Sequence, residues 1–285
     1  MKYRVENGSV NGYSRQMAYK HYYPEKSSGA ILVLICGGGH TMKVWAETPD
    51  GREGWAPIFA QNRREVIIMD WATEPLSLTQ KENLDLIKKV VEKEVPDQNH
   101  KIVWLGWSMG GPQAFILGTD LMPKRTAAIL GYGATGPLNF YDPDNLPGDS
   151  INLQELVKIS PTKIEQISDS PLFPKEYKEK YIEEYLIPIP PLMTAIQSKH
   201  PAVADRWEIL TVKNPNLIPP VLLVNGTFDP GHSPEKEKPF ENWLRRYQSD
   251  VTFVYVNNFP HLGMLCYGNE KIARIYLDWL KEREL

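Results

Sequence analysis

A serine held between glycines at the end of an apolar run is the first group in this sequence that could do chemistry. The run "KIVWLGW" (101–107) leads into "GWSMG" (106–110), and helix-forming residues follow. A nucleophile on so sharp a strand-to-helix turn has a strained backbone, and neighbours larger than glycine would collide with the helix. The spacing therefore predicts that Ser108 is an activated nucleophile; the alternative is an ordinary serine that caps the helix.

The elements that must position this serine follow from the alternation of apolar runs with helical patterns. Strands buried on both faces are nearly continuous in apolar residues. Six runs have this character: 31–37, 65–71, 101–107, 126–133, 220–226 and 251–257. The plainest helical patterns span 77–95, 233–247 and 269–283. Residues 1–26 alternate like antiparallel edge strands, so the whole predicts an α/β fold with a mostly parallel central sheet and helices on both faces.

The regular alternation is interrupted by a long segment. Residues 137–218 contain no clear strand and are rich in proline and in helical pieces such as "KEYKEKYIEEYLI" (175–187). An insertion this long within one sheet predicts a lid or cap, and the alternative is a helical embellishment without function. We therefore expect a core formed by 1–136 and 219–285, with 137–218 as a helical cap.

The elbow, the strand order and a downstream acid and histidine resemble the α/β-hydrolase superfamily over essentially the whole chain. Residues 137–218 then occupy the usual cap position, between strands 6 and 7. A narrower resemblance links "CGGGHTMKVWAETPDGREGW" (36–55) to a group of bacterial esterases with a T-P-D-G-R-x-G-W pattern. The segment departs from that pattern at two positions: Cys36 stands where those esterases have a histidine, and Lys43 stands where they have a glycine.

The resemblance implies which residues act with Ser108. It places the general base at His261, after the last strand in "VYVNNFPHLGM", and the acid that orients the base at Asp229, in "GTFDPGH". Some members take the acid after strand 6, where this chain has "LGYGATGP" (130–137) and no carboxylate. The alternative for Asp229 is a turn aspartate before a proline. Three other histidines are expected at the surface: His21, His100 and His200.

An oxyanion hole is also implied, because acyl transfer develops negative charge on the carbonyl oxygen. One amide donor is the residue after the nucleophile, Met109. The other comes from the glycine-rich loop after strand 3, where we assign Gly38, with Gly39 and His40 as neighbours that touch substrate. The alternative is a flexible glycine turn.

Aromatic side chains lie at the carboxyl ends of the predicted strands, where open α/β sheets bind ligands. Those that we assign to substrate binding are Trp71, Trp107, Tyr132 and Phe228. The set favours a substrate with an apolar or aromatic group, although any one such side chain is more often a core residue.

Composition and charge restrict the class of partner. The formal net charge of -3 excludes the basic footprint of a nucleic-acid-binding protein. The longest apolar runs are too short to cross a bilayer, and the N-terminus lacks the apolar core of a signal peptide. We therefore expect a cytoplasmic protein with a small ester-type substrate and no membrane partner, with a homodimer left open.

No metal or organic cofactor is expected. The sequence has no phosphate-binding P-loop, no dinucleotide G-x-G-x-x-G after a strand, and no Cys/His cluster with zinc spacing. Its two cysteines, Cys36 and Cys266, do not make a disulfide framework and are expected as buried thiols.

We interpret the sequence as a serine hydrolase that cleaves a carboxylic ester, lactone or thioester through Ser108, Asp229 and His261. A serine at the elbow excludes the dehalogenases and epoxide hydrolases that use an aspartate nucleophile. Two alternatives stay open. One is a lyase, carbon–carbon hydrolase, acyl transferase or cyclase on the same triad, and the other is a ligand-binding protein with a vestigial triad.

Overall fold

An eight-stranded sheet forms the centre of the protein. The computed structural model describes residues 2–13, 15–70, 80–134, 136–137, 165–166, 168–186 and 211–285. The strands are β1 (Tyr3–Gly12), β2 (Arg15–Pro24), β3 (Ile31–Ile35), β4 (Val66–Met69), β5 (Ile102–Trp107), β6 (Thr126–Tyr132), β7 (Val221–Gly226) and β8 (Val251–Val256). They lie in the order β1-β2-β4-β3-β5-β6-β7-β8. β2 runs antiparallel to both β1 and β4, and all other pairs are parallel, which confirms the mostly parallel sheet with antiparallel edge strands.

Helices cover both faces of this sheet, as the sequence predicts. They are α1 (Lys43–Ala46), α2 (Trp55–Gln61), α3 (Gln80–Glu94), α4 (Gly110–Ile116), α5 (Lys178–Tyr185), α6 (Pro234–Leu244) and α7 (Asn269–Glu282). A π-helical turn, Leu117–Leu121, continues α4. Short 3-10 turns lie at Lys175–Tyr177, Pro215–Leu217 and Gly263–Leu265. The core residues of α2 and α7 pack on one face of the sheet, and those of α3, α4 and α6 pack on the other. None of the described helices is long and apolar enough to span a membrane.

The central strands are apolar throughout because both of their faces are covered. Every residue of β3, β4, β5 and β7 is buried. A buried side chain contributes about 1.5–3 kcal/mol when it leaves water, so the two layers of helices hold these strands in place from both sides. Trp104 of β5 is fully buried in the layer beneath α3 and α4, and its indole N–H donates to Thr126 of the adjacent β6 over 3.0 Å.

The N-terminal hairpin is joined to the rest of the fold by a buried histidine. We expected His21 at the surface, and this is wrong: its ring is fully buried. Nε2 lies 2.8 Å from Glu65 and Nδ1 lies 2.9 Å from Glu94 of α3. Tyr23 also donates to Glu94, over 3.0 Å. Alternation along β2 places His21 on the same face as Tyr19 and Tyr23, but it does not show that Glu65 and Glu94 meet the histidine there.

The segment between β6 and β7 is only partly described. Its described residues include α5, which packs beside α1 at the carboxyl edge of the sheet. The backbone N–H of Thr41 donates to the carbonyl of Tyr185 over 3.0 Å, and His40 forms an antiparallel bridge with Leu186. This part of the insertion is therefore attached to the loop after β3. The boundaries 137–218 and the cap role remain predictions.

Candidate active site

The turn after β5 holds Ser108 in a backbone conformation that few side chains adopt. Its φ is 51°, in the left-handed region, and its N–H donates to the carbonyl of Tyr132 over 3.3 Å. A Cβ on Gly106 would lie 2.4 Å from the carbonyl oxygen of Gly110, and one on Gly110 would lie 2.5 Å from that of Ile35. Glycine is therefore required on both sides of the serine. The cap of α4 is Met109, not Ser108, and it makes no side-chain capping bond.

Asp229 and His261 meet at the same edge of the sheet. Asp229 follows β7 and His261 follows β8, and His261 Nδ1 donates to Asp229 Oδ2 over 2.6 Å. The N–H of Gly231 donates to the other oxygen, Oδ1, over 2.9 Å. Burial opposes ionisation of Asp229, but the charge and hydrogen bond of His261 outweigh it and hold the pKa of this carboxyl at about 2. The pair is thus an ionised acid that orients an imidazole.

The loop that carries His261 is fixed to the ends of β5 and β6 by two aromatic side chains. The indole N–H of Trp107 donates to the carbonyl of His261 over 3.0 Å, and the hydroxyl of Tyr132 donates to the carbonyl of Pro260 over 2.7 Å. Trp107 is 1% exposed and Tyr132 is 0% exposed. We assigned both to substrate binding; their contacts instead make them supports for the His261 loop.

The glycine-rich loop after β3 lies directly against the serine turn. A Cβ on Gly37 would lie 3.1 Å from Ser108 Cβ, and one on Gly38 would lie 2.7 Å from Met109 Sδ. Gly38, Gly39 and Met109 are all partly exposed. Gly39 has a φ of 75°, which glycine adopts without strain. The two segments assigned as oxyanion donors therefore face each other beside Ser108.

His40 is not free to touch substrate. It is 4% exposed, and its Nδ1 and Nε2 lie 2.9 Å from the carbonyl oxygen of Gly38 and 2.6 Å from the hydroxyl of Tyr181. The ring packs edge-on against Trp107, with centroids 4.5 Å apart. Burial lowers the pKa of His40 to about 4. The substrate role we assigned to His40 is therefore replaced by a structural one.

A second histidine–carboxylate pair lies behind the first, which the sequence did not indicate. The ring of His232 stacks on that of His261 at 5.6 Å, and His232 Nδ1 lies 2.5 Å from Glu237 Oε1. Burial opposes protonation of His232, but Glu237 and Asp229 outweigh it and raise its pKa. His232 is therefore held by its own carboxylate, Glu237.

The T-P-D-G-R-x-G-W segment (48–55) forms hydrogen bonds with the chain just beyond His261. Arg52 donates to the carbonyls of Cys266 over 2.8 Å and Leu265 over 3.2 Å, and Asp50 holds its Nε at 2.6 Å. The indole N–H of Trp55 donates to the carbonyl of Asn269 over 3.1 Å. The bonds from Arg52 and Trp55 join residues more than 200 positions apart, so the motif supports the chain that follows His261.

Two further residues assigned to substrate binding have different outcomes. Phe228 is 44% exposed and precedes Asp229, so it stays available as a substrate contact. Trp71 lies outside the described residues. The cysteines behave as expected: Cys36 and Cys266 are buried thiols that form no disulfide, and burial raises the pKa of both.

One group of described residues has the donor atoms of a metal site. Asp229, His232 and His261 place potential ligand atoms within 4.8 Å of one another. Asp229 and His261 are already joined by a short hydrogen bond, and His232 is held by Glu237. The donor set is therefore satisfied by hydrogen bonds among its own members and their neighbour.

The chain was compared with known proteins. No family model and no curated protein matches it. A thermophilic esterase from Thermogutta terrifontis is similar over 98% of this chain and 100% of its own, with a TM-score of 0.66 at 16% identity. An epoxide hydrolase is similar over 98% and 99%, with a TM-score of 0.66 at 15% identity. An enzyme described as degrading N-acyl homoserine lactones is similar over 95% and 99%, with a TM-score of 0.62 at 16% identity. At these identities the likeness is one of fold, and it confirms the predicted fold class.

Proposed function

We propose that this chain, which has the α/β-hydrolase fold, is a serine hydrolase that cleaves a carboxylic ester, lactone or thioester. The observation that carries the proposal is the Asp229–His261 pair, tied through Trp107 to a serine with a strained backbone. A carboxylate that orients an imidazole beside a hydroxyl on such a turn is the arrangement that nucleophilic catalysis requires. A serine that only caps a helix would need neither the strained turn nor the Asp229–His261 pair.

The reaction follows from the roles of these groups. Ser108 Oγ attacks the substrate carbonyl carbon while His261 takes the hydroxyl proton, and Asp229 stabilises the imidazolium that forms. The N–H groups of Met109 and Gly38 donate to the oxyanion. His261 then gives its proton to the departing alcohol or thiol, which leaves an acyl group on Ser108. His261 next removes a proton from water as the water oxygen attacks the acyl carbon, and it returns that proton to Ser108 Oγ when the acyl–Ser108 bond breaks and the carboxylic acid is released.

The other chemistries that reuse this machinery predict different products. The similarity to an epoxide hydrolase does not favour an aspartate nucleophile here, because the elbow residue is Ser108. Acyl transfer to a second substrate, or a lyase reaction, would bring no solvent oxygen into a carboxylic acid. Hydrolysis in water enriched in ¹⁸O would place one labelled atom in the acid at each turnover. A ligand-binding protein would give no product at all.

The experiment is steady-state hydrolysis of p-nitrophenyl esters of increasing acyl length by the wild type and by Ser108→Ala. We expect turnover by the wild type and a loss of at least about 10³-fold in kcat for the variant. Circular dichroism and the urea midpoint check that the variant is folded. Full activity in a folded Ser108→Ala protein would overturn the mechanism.

A further inference from the structure

The loop proposed to hold the oxyanion consists of three glycines, Gly37–Gly39. Glycine has little backbone preference of its own, so such a loop presents an N–H in one direction only if neighbouring groups fix its peptide planes. Contact with the serine turn restrains one side of the loop. The other restraint comes from His40 and from Tyr181 of α5, a helix of the insertion.

The hydrogen bonds of His40 have a defined direction. A carbonyl oxygen only accepts, so Nδ1 carries the proton and donates to Gly38 over 2.9 Å. The buried ring is neutral near pH 7, because its pKa is about 4, so Nε2 is an acceptor. The hydroxyl of Tyr181 therefore donates to Nε2 over 2.6 Å. A directed chain runs from Tyr181 through His40 to the Gly38 carbonyl.

These two hydrogen bonds fix the orientation of one peptide plane in the Gly37–Gly39 loop. The described residues contain no cis peptide bonds, so the carbonyl of Gly38 and the N–H of Gly39 point in opposite directions across one planar group. Holding the Gly38 oxygen toward His40 turns the Gly39 N–H away from His40. It also limits rotation about ψ of Gly38, whose own N–H is the proposed oxyanion donor.

The helix that carries Tyr181 is itself held in place. Tyr181 is fully buried, and the ring of Phe173 packs edge-on against it with centroids 5.9 Å apart. Lys43 and Glu184 form an ion pair. The carbonyl of Tyr185 accepts a hydrogen bond from the backbone N–H of Thr41 over 3.0 Å. The hydroxyl of Tyr181 is therefore held in place relative to His40.

We propose that Tyr181, acting through His40, is a positioning residue for the oxyanion loop, so that a residue of the insertion helps to complete the site. This inference rests on the proposed function for its kinetic consequences. The series of hydrogen bonds from Tyr181 through His40 to Gly38 is itself a property of the folded protein. Removing the Tyr181 hydroxyl leaves a buried imidazole nitrogen unpaired and loosens the peptide that it orients.

The kinetic test compares two tyrosines of one helix. Tyr181→Phe removes the hydroxyl that donates to His40, whereas Tyr185→Phe removes a buried hydroxyl with no hydrogen-bond partner among the described residues. Losing one oxyanion donor costs about 10²–10³-fold in kcat, so loosening it in Tyr181→Phe should cost about 5–20-fold. KM should change by less than about twofold, since ground-state binding does not use the oxyanion donors. Tyr185→Phe should retain wild-type kcat.

A second pair of variants tests His40 itself. In His40→Asn the side-chain amide can still donate to the Gly38 carbonyl, whereas His40→Leu has no donor. We expect His40→Asn to recover most of the kcat that His40→Leu loses. Equal kcat in these two variants, or equal losses in Tyr181→Phe and Tyr185→Phe, would overturn the proposal.

A measurement without substrate separates this proposal from the proposed function. In protein labelled with ¹⁵N-histidine, His40, assigned by its absence in His40→Asn, should show a protonated Nδ1 and an unprotonated Nε2. The opposite tautomer would overturn the inference whatever the activity. If the wild type hydrolyses no ester but His40 has the expected tautomer, the proposed function fails and the positioning chain stands.

Discussion

Gly133 lies where a single methyl group would enter the Asp229–His261 pair. Its φ is 46°, and a Cβ there would be 2.8 Å from Asp229 Oδ2 and 2.8 Å from His261 Nδ1. Ordinary contacts begin near 3.4 Å, so in Gly133→Ala each atom must retreat by about 0.6 Å. A hydrogen bond of 2.6 Å cannot survive this unchanged. Because a misplacement of about 1 Å can cost 10²-fold, we expect kcat/KM to fall by about 10–10²-fold.

The matched control for this substitution is Gly51→Ala. Gly51 has a φ of 86°, but a Cβ on it would meet nothing within 4 Å. Both variants carry the left-handed strain of about 1–2 kcal/mol, and only Gly133→Ala disturbs the pair. Urea denaturation measures how much this strain lowers the free energy of unfolding, and p-nitrophenyl ester hydrolysis measures kcat/KM. Equal kcat/KM in the two variants would refute the reasoning.

Two further predictions concern stability. Arg52→Ala removes the donors to the carbonyls of Leu265 and Cys266, so we expect a loss of about 1–3 kcal/mol in the free energy of unfolding by urea; an unchanged midpoint would contradict this. Burial holds the pKa of His40 at about 4, against 6.5 for the ordinary group, so the unfolded chain binds more protons between these values and stability falls as pH drops through them. Between pH 7.5 and 4 the wild type should lose about 3 kcal/mol more than His40→Asn, and parallel urea midpoints would contradict this.

The sheet and the serine turn were predictable because their signals are local. Continuous apolar runs mark strands buried on both faces, and the predicted runs 101–107 and 220–226 are found as β5 (Ile102–Trp107) and β7 (Val221–Gly226). The Gly-x-Ser-x-Gly spacing reflects a steric requirement within five residues, because the backbone of Gly110 lies so close to Gly106 that a Cβ there would not fit. A pattern this short can be read without knowing the rest of the fold.

The contacts that support the site were not predictable because they join distant parts of the chain. Tyr181 and His40 lie 141 positions apart, and Arg52 and Cys266 lie 214 apart. No local period records such a pairing. An aromatic residue at a strand end can point into a pocket or into the core, and the sequence does not distinguish the two. Tyr132 was therefore assigned to substrate, although its hydroxyl holds the carbonyl of Pro260.

The most direct test of the central claim is the intact mass of the protein after exposure to a fluorophosphonate, with peptide mapping of any adduct. The proposal predicts one covalent adduct per chain, located on Ser108 and absent in Ser108→Ala. Asp229→Asn should react far more slowly, because the orienting carboxylate is lost. A folded wild-type protein that takes up no adduct, or takes it up at another residue, would contradict the account.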